Sequence, residues 1–189
     1  MAESHPTPGQ TIGPFYGYAL PYARGHELVP PAYPGAIRLS GSVFDGAGVP
    51  VPDALLEIRQ PGGDGTVAAV PGSLRRDGRF TGWGRAATDA AGQYAFTTVE
   101  PGPVAAGAAP FFSVVVFARG LLDRLFTRVY LPEHRESVRA DRLFADLEPE
   151  RLATLFAERT GPAELRFDIR LQGERETVFL RFPAHGVTG

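Results

Sequence analysis

Residues 111–117 read Phe-Phe-Ser-Val-Val-Val-Phe, a run of β-branched and aromatic side chains without glycine or proline. Such side chains fit the pleated surface of a sheet. Pro110 precedes the run and Gly120 follows it closely, so its length is that of a strand. The stretch therefore predicts a buried central strand and a protein built around a sheet.

Segments on both sides of this run repeat the pattern of short strands between turns. Further strands are predicted at 37–44, 54–60, 84–88, 93–99, 128–131, 165–171 and 177–182. The turn at 89–92 indicates a hairpin between the third and fourth of these. With 23 glycines and 18 prolines in 189 residues, the chain is predicted to be all-β, a β-sandwich of about eight short strands.

Two regions depart from this pattern. Leucines stand among charges at roughly helical spacing in residues 133–160, and Pro149 favours a helix start near 148–150. We expect one or two short helices near 135–160. Residues 1–35 carry many prolines and aromatic side chains, so we predict an extended N-terminal arm without helix that lies on its own domain or crosses to a partner chain. Residues 36–189 then form the sandwich domain.

Composition excludes several classes of function. The chain has no cysteine, which removes thiol nucleophiles, iron–sulfur clusters and thiolate zinc sites. Its net charge of -2 offers no basic field to nucleic acid. No apolar run reaches the length of a membrane span, and no secretion signal is visible at the start of the sequence. We expect a cytoplasmic protein that binds neither nucleic acid nor membrane.

The histidines give no sign of a metal site. The four of them, His5, His26, His134 and His185, show neither H-x-H nor H-E-x-x-H spacing. The G-x-S-x-G motif of a nucleophilic serine is also missing from the sequence. From the residues alone, the chain is a sandwich of enzyme size without a catalytic constellation.

Motifs along most of the chain resemble those of the intradiol ring-cleavage dioxygenases. The opening residues 7–15, Thr-Pro-Gly-Gln-Thr-Ile-Gly-Pro-Phe, are similar to the family's T-P-x-Q-T-x-G-P-aromatic motif. Further matching blocks are residues 39–48, 53–60, 84–94, 98–103, 117–120, 127–131 and 166–179. The last block is the most specific, and it is similar to a subunit that works beside a catalytic chain.

The resemblance implies where a metal would be held. Catalytic chains of the family bind a non-haem Fe(III) with two tyrosines and two histidines. At the matching positions this sequence has Val67, Val104, Phe111 and Ser113. The resemblance therefore implies that this chain has no metal ligand and no catalytic residue. It implies Fe(III) in a partner β subunit of related fold, in αβ units of a higher oligomer.

The resemblance also implies a substrate-binding role. Thr11, Gly13 and Pro14 in the arm, and Arg119 after the 111–117 run, match positions that line the family's substrate pocket. Glycine and proline place stiff backbone beside a flat ring, and a guanidinium attracts an anion. The implied reaction cleaves 3,4-dihydroxybenzoate with O2 between its two hydroxyl-bearing carbons, giving 3-carboxy-cis,cis-muconate.

Two alternatives stay open at this point. Without the resemblance, Arg119 would be interpreted as an arginine at the end of a strand that pairs with a surface acid. The alternative function is a non-enzymatic binding or scaffold module that kept the β-sandwich without the chemistry.

Overall fold

Two β-sheets form the body of the protein in a computed structural model that describes residues 16–68 and 77–181. The strands are β1 (Ala36–Phe44), β2 (Leu55–Arg59), β3 (Trp83–Ala87), β4 (Gln93–Val99), β5 (Phe111–Phe117), β6 (Leu125–Tyr130), β7 (Glu158–Gly161), β8 (Glu164–Arg166) and β9 (Ile169–Arg170). The helices are α1 (Tyr16–Ala19), α2 (Arg135–Arg139) and α3 (Pro149–Ala153), with 3-10 turns at Pro132–His134 and Arg142–Phe144. Within these ranges no helix has the length and apolar character needed to cross a membrane.

The sheets pack face to face around one apolar core. The first has the order β4-β1-β8-β7, with β9 also paired to β1, and the second has the order β3-β2-β5-β6. Leu39 and Phe96 from the first sheet and Leu56 and Phe112 from the second are fully buried in this core. The predicted all-β sandwich is confirmed.

The 111–117 run forms β5, and its place between β2 and β6 confirms the predicted central strand. Burial alternates along it: Phe112, Val114 and Val116 point into the core, whereas Phe111 and Ser113 are half-buried on the outer face. Side chains of successive strand residues point to opposite faces of a sheet. The outer face of β5 therefore lies outside the main core, and its residues Phe111 and Ser113 are two of the positions that match metal ligands of the family.

The predicted hairpin of 84–88 with 93–99 is wrong, because β3 and β4 belong to different sheets. The Asp89 carboxylate accepts hydrogen bonds from the backbone N–H groups of Ala91 and Gln93, both at 2.9 Å, and it shapes the turn. Both strands bury side chains in the core from opposite sides, Ala86 from β3 and Phe96 from β4. The connection is therefore an arch from one sheet to the other.

The predicted strand 165–171 is interrupted between β8 and β9. Both pieces keep one register along β1, but the Phe167 carbonyl accepts a hydrogen bond from the Tyr94 hydroxyl at 2.6 Å. Complete burial raises the pKa of this phenol, which keeps it a donor. Beside it, the Asp168 carboxylate accepts the Ser42 N–H at 2.9 Å. The Phe167 N–H still donates to the Ser40 carbonyl at 2.8 Å, so side-chain bonds replace only part of the backbone ladder at this point.

The predicted strand 177–182 does not form within the described residues, which end at 181. Only Leu180 makes a single bridge, with Phe126. The Thr127 hydroxyl donates to the Val178 carbonyl at 2.8 Å, so a side chain again takes the place of a ladder bond. The short helices expected near 135–160 are confirmed, and α3 begins at Pro149.

The described part of the arm, residues 16–35, lies on its own domain. The Arg85 N–H in β3 donates to the Gly25 carbonyl, and the Leu28 N–H donates to the Thr97 carbonyl in β4, both at 2.8 Å. Leu28 is fully buried between these two edge strands. The arm thus closes the open side of the sandwich. The expectation of an arm without helix is wrong for α1, whose four residues fall between Pro14 and Pro21.

Candidate functional site

The pairing of β2 with β5 positions the candidate site. The strands are antiparallel, with Leu55 opposite Phe117. Two residues beyond this pair, the same register brings Asp53 opposite Arg119. Nε and Nη2 of Arg119 both contact one carboxylate oxygen of Asp53 and form an ion pair with it. Arg119, the predicted substrate-binding residue, therefore lies at the end of β5 beside an acid that the sequence analysis did not single out.

Thr88 fixes the backbone on both sides of Asp53. Its buried hydroxyl accepts the Ala54 N–H at 2.9 Å and donates to the Val51 carbonyl at 2.8 Å. The Thr88 N–H donates to the Ala54 carbonyl at 2.9 Å. The turn that carries Asp53 is thus held by three bonds from one residue at the end of β3.

The arm reaches the same place. The Tyr16 hydroxyl donates to the backbone carbonyl of Asp53. Burial raises the pKa of the Tyr16 phenol, and the nearby Asp53 carboxylate raises it further. A cleft of about 200 Å³ is lined by Tyr16, Asp53, Arg119, Ala87 and Thr88 among others. Arm, turn and strand end therefore meet at one small cleft.

The three other predicted pocket residues, Thr11, Gly13 and Pro14, lie outside the described residues. Their role therefore stays a prediction from the resemblance, and the first described residue of the arm is Tyr16.

Two of the four positions that matched metal ligands, Phe111 and Ser113, lie at the start of β5, at the other end of this strand from Arg119, and the other two lie in loops. Val67 and Val104 are exposed, at 55% and 58%. Their loops are adjacent, because the Gly102 N–H donates to the Gly62 carbonyl at 2.8 Å. These loops follow β2 and β4, and Arg59 at the end of β2 lies opposite Ser113 in β5.

At these positions the chain has apolar groups and cations. The centres of the Phe111 and Tyr130 rings are 5.6 Å apart. The guanidinium carbon of Arg128 lies 4.2 Å from the centre of the Phe111 ring. Ser113 lies between Arg59 and Arg128 on the neighbouring strands. Valine and phenylalanine have no donor atom, and two arginines repel a metal cation. These residues do not fit Fe(III).

Other parts of the described chain hold no evident metal site either. No group of three or more histidine, aspartate or glutamate side chains within residues 16–68 and 77–181 is arranged to bind a metal ion. His26 is exposed and His134 is half-buried in a 3-10 turn. His5 and His185 lie outside the described ranges.

Two larger clefts lie away from Arg119. One of about 780 Å³ is lined by apolar residues such as Ile37 and Phe80. The other, of about 390 Å³, is polar and includes Arg38, His26 and Arg166. Neither includes a residue that the sequence analysis assigned to substrate. Size alone would therefore have pointed to a different place from the resemblance.

Asp53 and Tyr16 are the residues at the cleft that sequence reasoning missed as site residues. In the sequence, Asp53 stands out only as the first residue of a block that resembles the family, and Tyr16 only as one of the aromatic side chains of the arm. The pairing of β2 with β5 would have revealed Asp53, because its register brings positions 53 and 119 together. No local pattern in the sequence indicates that pairing.

Comparisons with known proteins agree with the fold. A family model described as "Dioxygenase" matches residues 13–173. The protocatechuate 3,4-dioxygenase alpha chain of Burkholderia cepacia is 40% identical, over 95% of this chain and 98% of the relative. The alpha chain of the same name from Pseudomonas putida is 37% identical, over 93% of this chain and 96% of the relative.

Solved structures show the same architecture. The dioxygenase domain of a carbohydrate-binding fusion protein from Streptomyces sp. SirexAA-E superposes with a TM-score of 0.62 at 27% identity, covering 89% of this chain and 99% of that domain. Catechol 1,2-dioxygenase from Acinetobacter sp. ADP1, at 22% identity, shares the fold with a TM-score of 0.54 over 76% of this chain and 55% of that chain. The family match, the two alpha-chain relatives and the shared sandwich together show that this chain belongs to the intradiol ring-cleavage dioxygenase family.

Proposed function

We propose that this chain is the α subunit of a protocatechuate 3,4-dioxygenase and that it works as a pair with a β subunit of related fold. The pair would cleave 3,4-dihydroxybenzoate with O2 to 3-carboxy-cis,cis-muconate. The relatives named as alpha chains support this proposal, since they match nearly the whole of this chain. The observation that carries it is the combination of this likeness with ligand positions that do not fit a metal.

The proposal divides the site between the two chains. Fe(III) would be held by the β subunit, because the matching positions of this chain have Val67, Val104, Phe111 and Ser113. This chain would contribute shape and charge to the substrate pocket. An α subunit of this kind orients the substrate and excludes water, which are contributions that need no metal.

Arg119 would attract and orient the carboxylate of the substrate. Its side chain is 68% exposed, so most of its guanidinium faces away from the domain. The ion pair with Asp53 engages two nitrogens of the guanidinium, which has five N–H donors in all. The remaining donors can bind a second carboxylate in the forked geometry that arginine favours. Thr11, Gly13 and Pro14 would line the same pocket from the arm.

Assembly and location complete the proposal. The αβ pairs would build a higher oligomer, which is supported by the subunit names of the relatives. A cytoplasmic location is supported by the cysteine-free sequence, which suits a reducing compartment.

The experiment that tests this function is purification of the chain alone and together with a candidate β chain that has two tyrosines and an H-x-H pair at the ligand positions. We expect O2 uptake with 3,4-dihydroxybenzoate from the co-purified pair and none from the chain alone. A chain that never captures such a partner, and never consumes O2, would indicate the binding module instead. O2 uptake by the chain alone would contradict both alternatives.

A further inference from the structure

Asp53 is bonded to both parts of this chain that the proposed function brings to the substrate. Its carboxylate pairs with Arg119. Its backbone carbonyl accepts the hydrogen bond of Tyr16 in the arm. One residue thus links the guanidinium and the arm across the cleft.

The backbone of the turn around Asp53 is more restricted than the side chain of Arg119, with which Asp53 pairs. Thr88 forms hydrogen bonds to the backbone on both sides of Asp53. The residue before Asp53 is Pro52, whose ring fixes its own φ angle. Arg119, by contrast, is exposed after the end of β5, where an unpaired arginine side chain has wide rotamer freedom. An ion pair to a fixed carboxylate reduces this freedom before a ligand arrives, which strengthens binding of the ligand.

We propose that Asp53 is a positioning residue, which holds Arg119 and the arm at Tyr16 in a fixed relation so that the free donors of Arg119 meet the substrate's carboxylate. This inference rests on the proposed function, and it adds to it a determinant of selectivity for carboxylated catechols. Asp53 itself acts through Arg119 and has no contact with the reacting atoms.

Two opposite effects of the Asp53 charge make the proposal testable. A carboxylate beside Arg119 repels an anionic substrate and competes with it for the guanidinium. If this competition dominated, removing the charge would tighten binding. If positioning dominates, removing the charge frees the Arg119 side chain. Binding of the carboxylated substrate then weakens, while binding of a catechol without a carboxylate does not change. The sign of the change in KM separates the two.

The test measures kcat and KM of the αβ complex for 3,4-dihydroxybenzoate and for catechol, which lacks the carboxylate. For Asp53→Asn we expect the KM for 3,4-dihydroxybenzoate to rise about 5- to 10-fold, of the order of a single charge-assisted bond. The kcat for either substrate and the KM for catechol should stay within about twofold. A KM for 3,4-dihydroxybenzoate that falls or stays unchanged overturns the proposal.

The matched control is Asp123→Asn. Asp123 is exposed in the same connection between β5 and β6 as Arg119, and the described ranges offer it no ion pair. Asp123→Asn removes the same charge as Asp53→Asn, but from a residue that does not pair with Arg119, so both KM values should stay at those of the parent. An equal rise in the KM for 3,4-dihydroxybenzoate in both variants would mean that general charge is responsible, and would overturn the positioning role.

Further variants separate this proposal from the proposed function. If the Asp53→Asn complex assembles poorly, Asp53→Glu is the second variant, which keeps the charge on a side chain one methylene group longer. A KM that rises for 3,4-dihydroxybenzoate but not for catechol then supports positioning.

If Arg119→Ala leaves the preference for 3,4-dihydroxybenzoate over catechol intact, the substrate role proposed for this chain fails. If Arg119→Ala abolishes discrimination but neither Asp53 variant weakens it, only the positioning role fails. In the Arg119→Ala background, Asp53→Asn should have no further effect on KM.

Discussion

Replacing Arg119 with alanine should raise the KM of the αβ complex for 3,4-dihydroxybenzoate by about 30- to 100-fold, the loss expected for a forked arginine–carboxylate contact that is shielded from water. The iron content of the complex should stay unchanged, because no position of this chain that matches a metal ligand has a suitable donor. Catechol, which has no carboxylate, should be oxidised with a KM close to that of the parent. Steady-state O2 uptake with both substrates, beside metal analysis of the same preparation, measures all three quantities.

Arg124→Ala is the matched control for this variant. Arg124 is exposed in the same connection between β5 and β6, where its guanidinium carbon lies 5.1 Å from the centre of the Phe126 ring. It removes the same charge without touching Asp53. A parallel loss of iron and activity in Arg119→Ala would contradict the substrate role and indicate a role in folding or assembly.

Replacing Gly41 with alanine should destabilise the fold by about 3–5 kcal/mol, near the upper end of what single substitutions cost. A Cβ atom at this position would lie 1.8 Å from the carbonyl oxygen of Phe167, far inside contact distance. Phe167 cannot move away without loss, because its carbonyl also accepts the hydrogen bond of the buried Tyr94 hydroxyl. Relief of the clash would separate β1 from the β8–β9 segment in the middle of the first sheet. Urea unfolding of the purified protein measures the change.

Two further variants serve as controls for Gly41→Ala. At Gly17 an added Cβ meets nothing within 4 Å, so Gly17→Ala should leave the unfolding midpoint nearly unchanged. Tyr94→Phe removes only the hydrogen bond to Phe167 and should cost about 1–2 kcal/mol. If Gly41→Ala were as stable as Gly17→Ala, the close approach of the two strands would be contradicted.

The strands of the core could be predicted from their own residues, but their partners could not. The apolar run 111–117 forms β5 as predicted. Every second side chain of the run is apolar and can be buried on one face, and this holds whichever strands lie beside it. The hairpin at 89–92 failed for a related reason. The turn residues 89–92 are compatible with a hairpin within one sheet and with an arch between two sheets. Which of the two forms depends on how Ala86 and Phe96 pack in the core, and this is not a local property of the sequence.

The strand predicted at 165–171 shows the same limit in another form. Its alternating pattern is correct, and both β8 and β9 lie where it predicts. The interruption at Phe167 and Asp168 depends on Tyr94 and Ser42, which are far away in sequence. Local periodicity contains no information on such side-chain bonds, so only the structure could reveal them.

The candidate site was predicted residue by residue through resemblance, whereas its internal contacts were not. Arg119 was identified from a short motif, and the structure adds that it pairs with an acid, as the alternative interpretation of a strand-end arginine expected. The two interpretations are compatible, since an arginine can pair with Asp53 and still offer donors to a substrate. Asp53 itself follows only from the register of β2 against β5, a long-range pairing.

The measurement that tests the central claim most directly is the iron content of this chain when it is purified alone, compared with that of the co-purified αβ complex. Val67, Val104, Phe111 and Ser113 provide no ligand set, and Arg59 and Arg128 add repulsion near Ser113. We expect no iron above background in the chain alone, and iron in proportion to the β subunit in the complex. Tightly bound iron in the isolated chain, at an amount comparable to the protein, would contradict the proposal that this α subunit serves a metal held by its partner.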